Sequence, residues 1–467
     1  METKIISKKE ALDIINEDET HFLDLKSKDI NGKKLQRIVT AFANADGGEV
    51  YVGILDEKEK VIRPFDRWVG FKNQEEANQL IQTITLDIEP SPQMDIDFYK
   101  VEESEQGLVL KISVFKSAEI HYTSEKKAFV RKGAQSLPIT GREITNLQLS
   151  KGLISYEDQL ISGYVVDELL ESEELERFLK FYSPRMDTFD YLKKQRLVRR
   201  DKNNYYPSIA AVLLYSDNPS AILSKKSAVK VTRYDTTDIE PKREHLKEQF
   251  TVEGCLMTQI KDTLKYVKEI IESVNIFENG KLEKAKYPIE AIQEIVVNAV
   301  IHRDYNISDD IHVIIFNNRI EVKNPGRLPG YITTRNILED RFARNPTVVR
   351  LLNKYPDPPN KDIGEGLNTA FQKMQEMRLK PPRIEIDNNN VIVTLPHETL
   401  ASPEETVIEY LKENDEINNR TARKLCGISS ENTMKNVFVK LRDHKIIEKV
   451  PGKKGSATAW RLKDKED

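Results

Sequence analysis

The sequence predicts an α/β and α+β multidomain protein, and three observations carry that expectation. The chain has 467 residues, which at ordinary domain size gives about three domains. Helical stretches with a 3.6-residue apolar period alternate with short β-type runs through most of its length. A Pro-bounded stretch, Pro396 to Pro403, reads as a linker before a small C-terminal module. Composition is that of a soluble globular chain, 39% hydrophobic and 32% charged. The net charge of −4 excludes a chain that coats nucleic acid along its whole length, so any such surface must be local.

Residues 1–140 read as an α/β unit. Leu23 to Lys26 has strand character, Ile38, Val39, Ala41 and Phe42 suit the buried side of a helix, and Asn44 to Gly48 reads as a helix stop and tight turn. Val50, Val52 and Ile54 then alternate as a strand. Residues 141–285 form a connector with short helices and an accessory α+β region. Within it, the apolar runs Ala210–Tyr215 and Ala228–Tyr234 are expected as strands, and 251–274 as an amphipathic helix. Residues 286–397 begin with a helix from Ile289, followed by a hairpin turning at Asn317-Asn318 and a second around Asn388-Asn389-Asn390. Residues 404–467 close the chain.

Two patterns carry chemistry. In Glu19-Thr-His-Phe-Leu-Asp24-Leu-Lys26, Asp24 and Lys26 stand two apart on a strand and so share one face. A carboxylate beside an ammonium is how many metal-dependent nucleases begin a phosphodiester site, the carboxylate holding a divalent cation and the lysine steadying phosphate or water. Glu19 and Asp56 are candidates to complete a three-carboxylate cluster for magnesium or manganese. The same spacing also fits a solvated surface pair.

The second pattern is the helix Glu290-Ala-Ile-Gln-Glu294-Ile-Val-Val-Asn298-Ala-Val-Ile-His302, which puts Glu290, Glu294, Asn298 and His302 four apart on one stripe. By itself the stripe fits an ordinary polar helix face. Asn324-Pro-Gly326 after a strand pair and Gly364-Glu-Gly366 before a helix add to it, because Gly-x-Gly at a helix N-terminus lets backbone N–H groups approach a phosphate.

Both patterns bring family resemblances. Glu19 to Lys26, with Ala41-Phe-Ala-Asn-Ala-Asp-Gly-Gly48 through Asp56 and Ala128-Phe-Val-Arg131-Lys-Gly133, resembles the Schlafen AlbA-type domain over about residues 10–140. Some members of that family cleave RNA with acidic positions matching Glu19, Asp24 and Asp56, and many bacterial members are described as DNA-binding regulators. The chain departs in carrying Asp24 where Glu is usual. The stripe, Asn324-Pro-Gly326, Arg344-Asn345-Pro346 and Gly364-Glu-Gly366 resemble the Bergerat nucleotide site of the GHKL ATPases, in the divergent subgroup found behind Schlafen AlbA-type domains. The resemblance implies ATP and Mg2+ as ligands. Glu294 would be the base that activates water, Asn298 a magnesium ligand, Gly326 a wall of the adenine pocket, and Gly364 and Gly366 neighbours of the phosphates. Asn324 replaces the Asp that recognises the adenine amino group in better-known relatives; its side-chain oxygen still accepts that bond, without charge.

Residues 404–467 look like a winged helix-turn-helix, with a local excess of Lys and Arg (Arg420, Lys424, Lys435, Lys440 and others) suited to phosphate contacts. The architecture implied is a Schlafen AlbA-like domain, a GHKL-like α/β sandwich and a winged helix. The expected function is an ATP-binding protein acting on nucleic acid as a metal-dependent nuclease regulated by ATP. The alternatives are an ATP-responsive DNA-binding transcriptional regulator that does not cut, and an assembly protein driven by nucleotide. A homo-oligomer is expected, because GHKL relatives commonly pair around ATP. Cys255 and Cys426 are the two cysteines, which excludes a disulfide framework and a Cys-based zinc site. The chain has no Gly-x-x-x-x-Gly-Lys-[Ser/Thr] loop, which argues against a helicase-like motor. With no apolar run of membrane-spanning length and no apolar leader in the first residues, the cytoplasm is the expected location.

Overall fold

The computed structural model describes all residues except 57–62, 184, 224–225, 279–280, 360–365, 388, 398–402, 427, 429, 445, 454–457 and 464–467. It divides into two compact units, residues 1–374 with 381–396, and residues 375–380 with 397–467. None of the described helices is long and apolar enough to cross a membrane.

The first unit opens with β1 (Thr3–Ile6), α1 (Lys8–Ile15), β2 (Leu23–Lys26), α2 (Gly32–Asn44), β3 (Gly48–Val52), α3 (Asn78–Leu86), β4 (Met94–Val101), β5 (Val109–Val114) and the hairpin β6 (Ala128–Lys132)–β7 (Gln135–Ile139). Five strands make one mixed sheet in the order β1-β4-β5-β3-β2. Leu35, Ile38, Val39 and Phe42 of α2 pack with Val50, Val52, Leu110 and Ile112 on one face, and Ala11 and Ile15 of α1 pack with Leu23, Leu25 and Trp68 on the other. The alternation of each strand thus feeds two cores at once. The turn after α2 needs its glycines. Gly47 has φ +81°, and a Cβ on Gly48 would lie 2.5 Å from the Phe42 ring. Asn44 ends α2 fully buried, donating to the carbonyls of His121 and Phe129 and accepting from the His121 amide, so it ties the helix to the β6 hairpin.

A helical region follows: α4 (Arg142–Lys151), α5 (Val166–Leu170), α6 (Glu173–Tyr182), α7 (Thr188–Lys194), the hairpin β8 (Val198–Asp201)–β9 (Asn204–Pro207), α8 (Ile209–Tyr215) and α9 (Pro219–Leu223). The apolar run expected as a strand at Ala210–Tyr215 is helix α8, buried on all sides and started by Ser208, whose side chain accepts from the Ala211 amide. All-round burial removes the periodicity that separates a short helix from a strand.

Next come β10 (Val229–Tyr234), β11 (Leu246–Val252), α10 (Leu256–Ser273), β12 (Asn275–Glu278), β13 (Lys281–Lys284), α11 (Ile289–His302), β14 (Ile311–Ile315), β15 (Arg319–Pro325), α12 (Pro346–Leu352), α13 (Gly366–Glu376), β16 (Arg383–Asp387) and β17 (Asn390–Pro396). A six-stranded sheet runs β11-β10-β14-β15-β17-β16, with only β10–β14 parallel. Helices α10 and α11 lie against each other and against this sheet. Because β10 and β11 belong to the sheet, it crosses the boundary expected at residue 285. The two hairpins expected from their Asn-rich turns are β14–β15 and β16–β17.

The second unit contains α14 (Pro403–Glu413), β18 (Ile417–Asn418), α15 (Asn419–Cys426), α16 (Glu431–Asp443), β19 (Ile447–Lys449) and β20 (Ala459–Leu462), with a three-stranded sheet β18-β20-β19. Its own core includes Val407, Leu411, Met434, Phe438 and Trp460, the last two stacked 5.3 Å apart.

Candidate functional site

Helix α11 brings the polar stripe to a cavity of about 500 Å³, the size of a small-molecule site. Ile292, Val296 and Val300 are buried away from it, while Glu294, Asn298 and His302 line the cavity together with Ile295, Ala299 and Ile301. The opposite wall comes from the end of β15. Asn324 pairs in register with Val391 of β17, and its Oδ1 is buried with no hydrogen-bond partner among the described residues. Gly326 follows at φ +114°, where a Cβ would lie 2.6 Å from Asp304 Cβ and 2.8 Å from an Arg344 nitrogen. Only glycine fits there. The Gly326 amide donates to Asn389 O, and the Asp304 amide donates to Pro325 O, so both ends of Asn324-Pro-Gly326 are pinned.

Arg344-Asn345-Pro346 has a structural task behind this wall. Arg344 forms a buried ion pair with Asp304 at 2.6 Å. Asn345 donates to the carbonyls of Ile301 and Arg303, which the end of α11 leaves without helical partners. Glu157, fully buried, accepts from the amides of Thr347 and Val348 at the start of α12, and burial pushes its carboxyl up to about 7.

The third wall is the start of α13. A Cβ on Gly366 would sit 2.6 Å from Glu294 Oε2 and 3.1 Å from Asn298 Nδ2, so the two side chains close directly over a bare backbone. Residues 366–369 line the cavity at the positive end of an 11-residue helix. Gly364, expected beside the phosphates, lies outside the described residues. Glu290 is exposed and is not among the residues lining the cavity. Burial, with the Arg344 charge nearby, holds His302 down at about 4, so its imidazole is neutral near pH 7, and its Nδ1 is buried without a partner among the described residues. A second cavity, of about 430 Å³, is lined by Glu173, Glu174, Asp217 and Glu253 against Arg177, a charge pattern that repels a triphosphate.

In the N-terminal sheet the structure gathers Glu19, Asp24 and Lys26. Lys26 Nζ lies 2.5 Å from Glu19 Oε1 and ion-pairs with Asp24 Oδ1. Asp24 is 2% exposed, and its Oδ2 pairs with Arg131 at 2.7 Å. Arg131, from β6, also donates to the carbonyls of Thr20 and Leu23 and lies over the Phe42 ring. Burial and the neighbouring Glu19 push the Asp24 carboxyl upward against the pull of Lys26 and Arg131. For Glu19, burial also pushes upward, but its contacts with Asp24 and Lys26 outweigh it and hold the carboxyl below its ordinary range. Asp56 is exposed beyond β3, and 57–62 lie outside the described residues. Among the described residues no group of three or more His, Cys, Asp or Glu side chains is arranged to hold a metal ion. Of the three expected carboxylates, Glu19 and Asp24 meet at Lys26, and Asp56 lies beyond β3 at the edge of the described residues.

Sequence reasoning left Arg131 inside a motif with no task and passed over Asp46, which turns out to be a hub. His21 Nε2 lies 3.0 Å from Asp46 Oδ2, Arg327 2.7 Å from the same oxygen, and Lys116 Nζ 3.3 Å from Oδ1. No sequence signal marks these pairings, because the Asp46–Arg327 contact joins residues far apart in the chain.

Two family models match the chain. The one described as "Schlafen, AlbA_2" matches residues 19–140. The one described as "Putative ATP-dependent DNA helicase recG C-terminal" matches residues 308–395. The chain thus carries a Schlafen AlbA_2 region at its N-terminal end and a recG C-terminal-like, ATPase-type region behind it. No curated protein matches. Among solved structures, the DIP2311 protein from Corynebacterium diphtheriae is 19% identical over 97% of each chain with a TM-score of 0.41, a likeness too distant to bear on the fold or the activity.

Proposed function

We propose that this chain is an adenine-nucleotide-responsive protein acting on nucleic acid, with ATP held in the cavity between α11, the end of β15 and the start of α13. The observation that carries the reading is the convergence of three features on one cavity: the unpartnered Asn324 Oδ1, the Glu294–Asn298 pair closed over Gly366, and the positive end of α13. A buried acceptor without a partner is costly unless a ligand donor meets it. The adenine amino group supplies that donor. The triphosphate suits the α13 N-terminus. In this reading Glu294 would orient and deprotonate a water, and Asn298 would offer an oxygen of the kind magnesium takes. Mg2+ bound with the triphosphate would neutralise phosphate charge and polarise the transferred group.

The N-terminal region supports nucleic-acid engagement, and the Arg131–Asp24–Lys26 packing favours the regulator that binds without cutting. Metal-dependent cleavage is the second reading, favoured by the gathering of Glu19 and Asp24 on Lys26. Arg131 already holds Asp24 Oδ2, so a cation at Asp24 would have to share or displace that contact. The second unit we read as a winged helix. Its basic excess is partly neutralised from within, since Lys435, Lys440 and Arg442 ion-pair with Glu431, Glu404 and Asp443. The test is binding and cleavage of labelled RNA and DNA with Mg2+ or Mn2+, with and without ATP. ATP-dependent retention without cleavage fits the proposal, cleavage restores the second reading, and indifference of both to ATP rejects nucleotide responsiveness.

A further inference from the structure

The wall of the cavity that carries Arg327, Leu328 and Ile332 is held from outside its own sheet. Arg327 pairs with Asp46 at 2.7 Å. Lys116 donates to Leu328 O at 2.8 Å and to Ile332 O at 3.0 Å while lying 3.3 Å from Asp46. Arg327, Leu328 and Ile332 all line the cavity. Asp46 and Lys116 belong to the Schlafen AlbA_2 region, in the turn after α2 and just beyond β5. Both side chains are largely buried, at 11% and 7% exposed, so the Lys116–Asp46 contact is charge-assisted and shielded from solvent, while Arg327 reaches it from a side chain 38% exposed. A second tie runs alongside. Arg344 donates to Arg327 O, and Gly152 at the end of α4 lies so close to Phe342, another lining residue, that a Cβ there would stand 2.6 Å from the ring.

The Asp46 oxygen that pairs with Arg327 also accepts from His21, within Glu19-Thr-His21-Phe-Leu-Asp24. The Phe22 carbonyl accepts from the Glu49 amide, and β2 then pairs with β3. One carboxylate thus joins the cavity wall to the strand that carries Asp24 and Lys26.

We infer that Asp46 is a positioning residue for the nucleotide cavity, and that through its shared contacts with Arg327, Lys116 and His21 nucleotide binding and the Glu19–Asp24–Lys26 cluster are energetically linked. The inference rests on the proposed nucleotide site. Linkage is reciprocal: if the Asp46 contacts favour the wall conformation that ATP selects, ATP must in turn favour the His21–Asp46 arrangement. ATP therefore orders the turn around Asp46 and strand β2 without touching either.

Hydrogen–deuterium exchange on the full chain tests this, with ATP–Mg2+ binding measured in parallel by calorimetry. Wild type is expected to show ATP-dependent protection in peptides covering residues 18–26 and 42–50 as well as around the cavity. In Asp46→Asn and Arg327→Gln, judged folded by circular dichroism, ATP is expected to bind about fivefold or more weakly. At saturating ATP both variants are expected to keep protection at the cavity and lose it at 18–26. The double variant should weaken binding by less than the product of the two single effects. A wild type that binds ATP but shows no change at 18–26 overturns the inference while leaving the nucleotide site standing. Unchanged remote protection in both single variants overturns it as well. Absence of ATP binding in wild type overturns the nucleotide site and the inference together.

Discussion

Replacing Asn324 with Leu separates ligand recognition from fold maintenance. In the protein alone, Asn324 Oδ1 is buried without a hydrogen-bond partner among the described residues, so losing it orphans no donor there. The position sits at the end of β15 opposite Val391, with Val322 and Val393 also lining the cavity, and Leu repeats the γ-branched shape of Asn with bulkier methyl ends that the cavity can take up. Removing an unsatisfied buried polar atom into such surroundings leaves stability unchanged or raises it. Binding moves the other way. A buried hydrogen bond lost from the complex costs about 1–3 kcal/mol, a rise of about 5- to 150-fold in Kd. Preference for ATP over GTP should fall as well, since guanine offers an acceptor where adenine offers a donor. Asn324→Asp keeps an acceptor oxygen and should keep the preference. The assay is calorimetric titration with ATP and GTP beside a thermal melt. An Asn324→Leu protein that melts at or above wild type and still binds ATP with wild-type affinity and preference refutes the assignment of Asn324 to the base.

Three further perturbations read other parts of the account. Asp24→Ala removes the carboxylate partner of the buried Arg131; breaking such a pair should cost about 3 kcal/mol of stability, visible in urea unfolding, whereas an unchanged midpoint would mean Arg131 is adequately satisfied by backbone carbonyls. Glu294→Ala should retain ATP, block hydrolysis and hold the ATP-bound assembly, so light scattering with ATP should report a larger mass than without it; a mass that does not respond to ATP in either wild type or variant would count against a nucleotide-dependent homo-oligomer. His302 has its pKa lowered from 6.5 to about 4 by burial and by Arg344. Its neutral form is the one the fold accepts, so its contribution is complete above pH 6.5 and is lost as pH falls from 6.5 toward 4, at most about 3 kcal/mol. His302→Gln should flatten the stability profile in that window, and an unaltered profile would show that other groups set it.

The sequence shows local chemistry well and long-range pairing poorly. The α11 stripe, the Asn-Pro-Gly turn and the two Asn-rich hairpins are legible because each is written within a few consecutive residues. Helix α8 is not, because seven buried residues in a row leave no polar face to reveal the helical period. Strand β11 is an edge strand whose Leu246 to Thr251 residues are mostly exposed, so alternation never marks it, and its membership in the six-stranded sheet hides with it. At the N-terminal cluster the strand-face argument does place Asp24 beside Lys26. It cannot foresee Arg131, which arrives on a hairpin more than 100 residues later and pairs with the buried Asp24 carboxylate. Asp46 is missed for the same reason: a turn residue by local rules, it owes its role to Lys116 and Arg327.

The central claim is that the cavity between α11, β15 and α13 binds adenine nucleotide. Titrating ATP with Mg2+ into the 467-residue chain, with heat and displacement of a fluorescent adenine nucleotide followed together, tests it most directly. Saturable binding of one ATP per chain, preferred over GTP and weakened by Asn324→Leu, is the expected result. Absence of heat and of displacement up to millimolar ATP contradicts it.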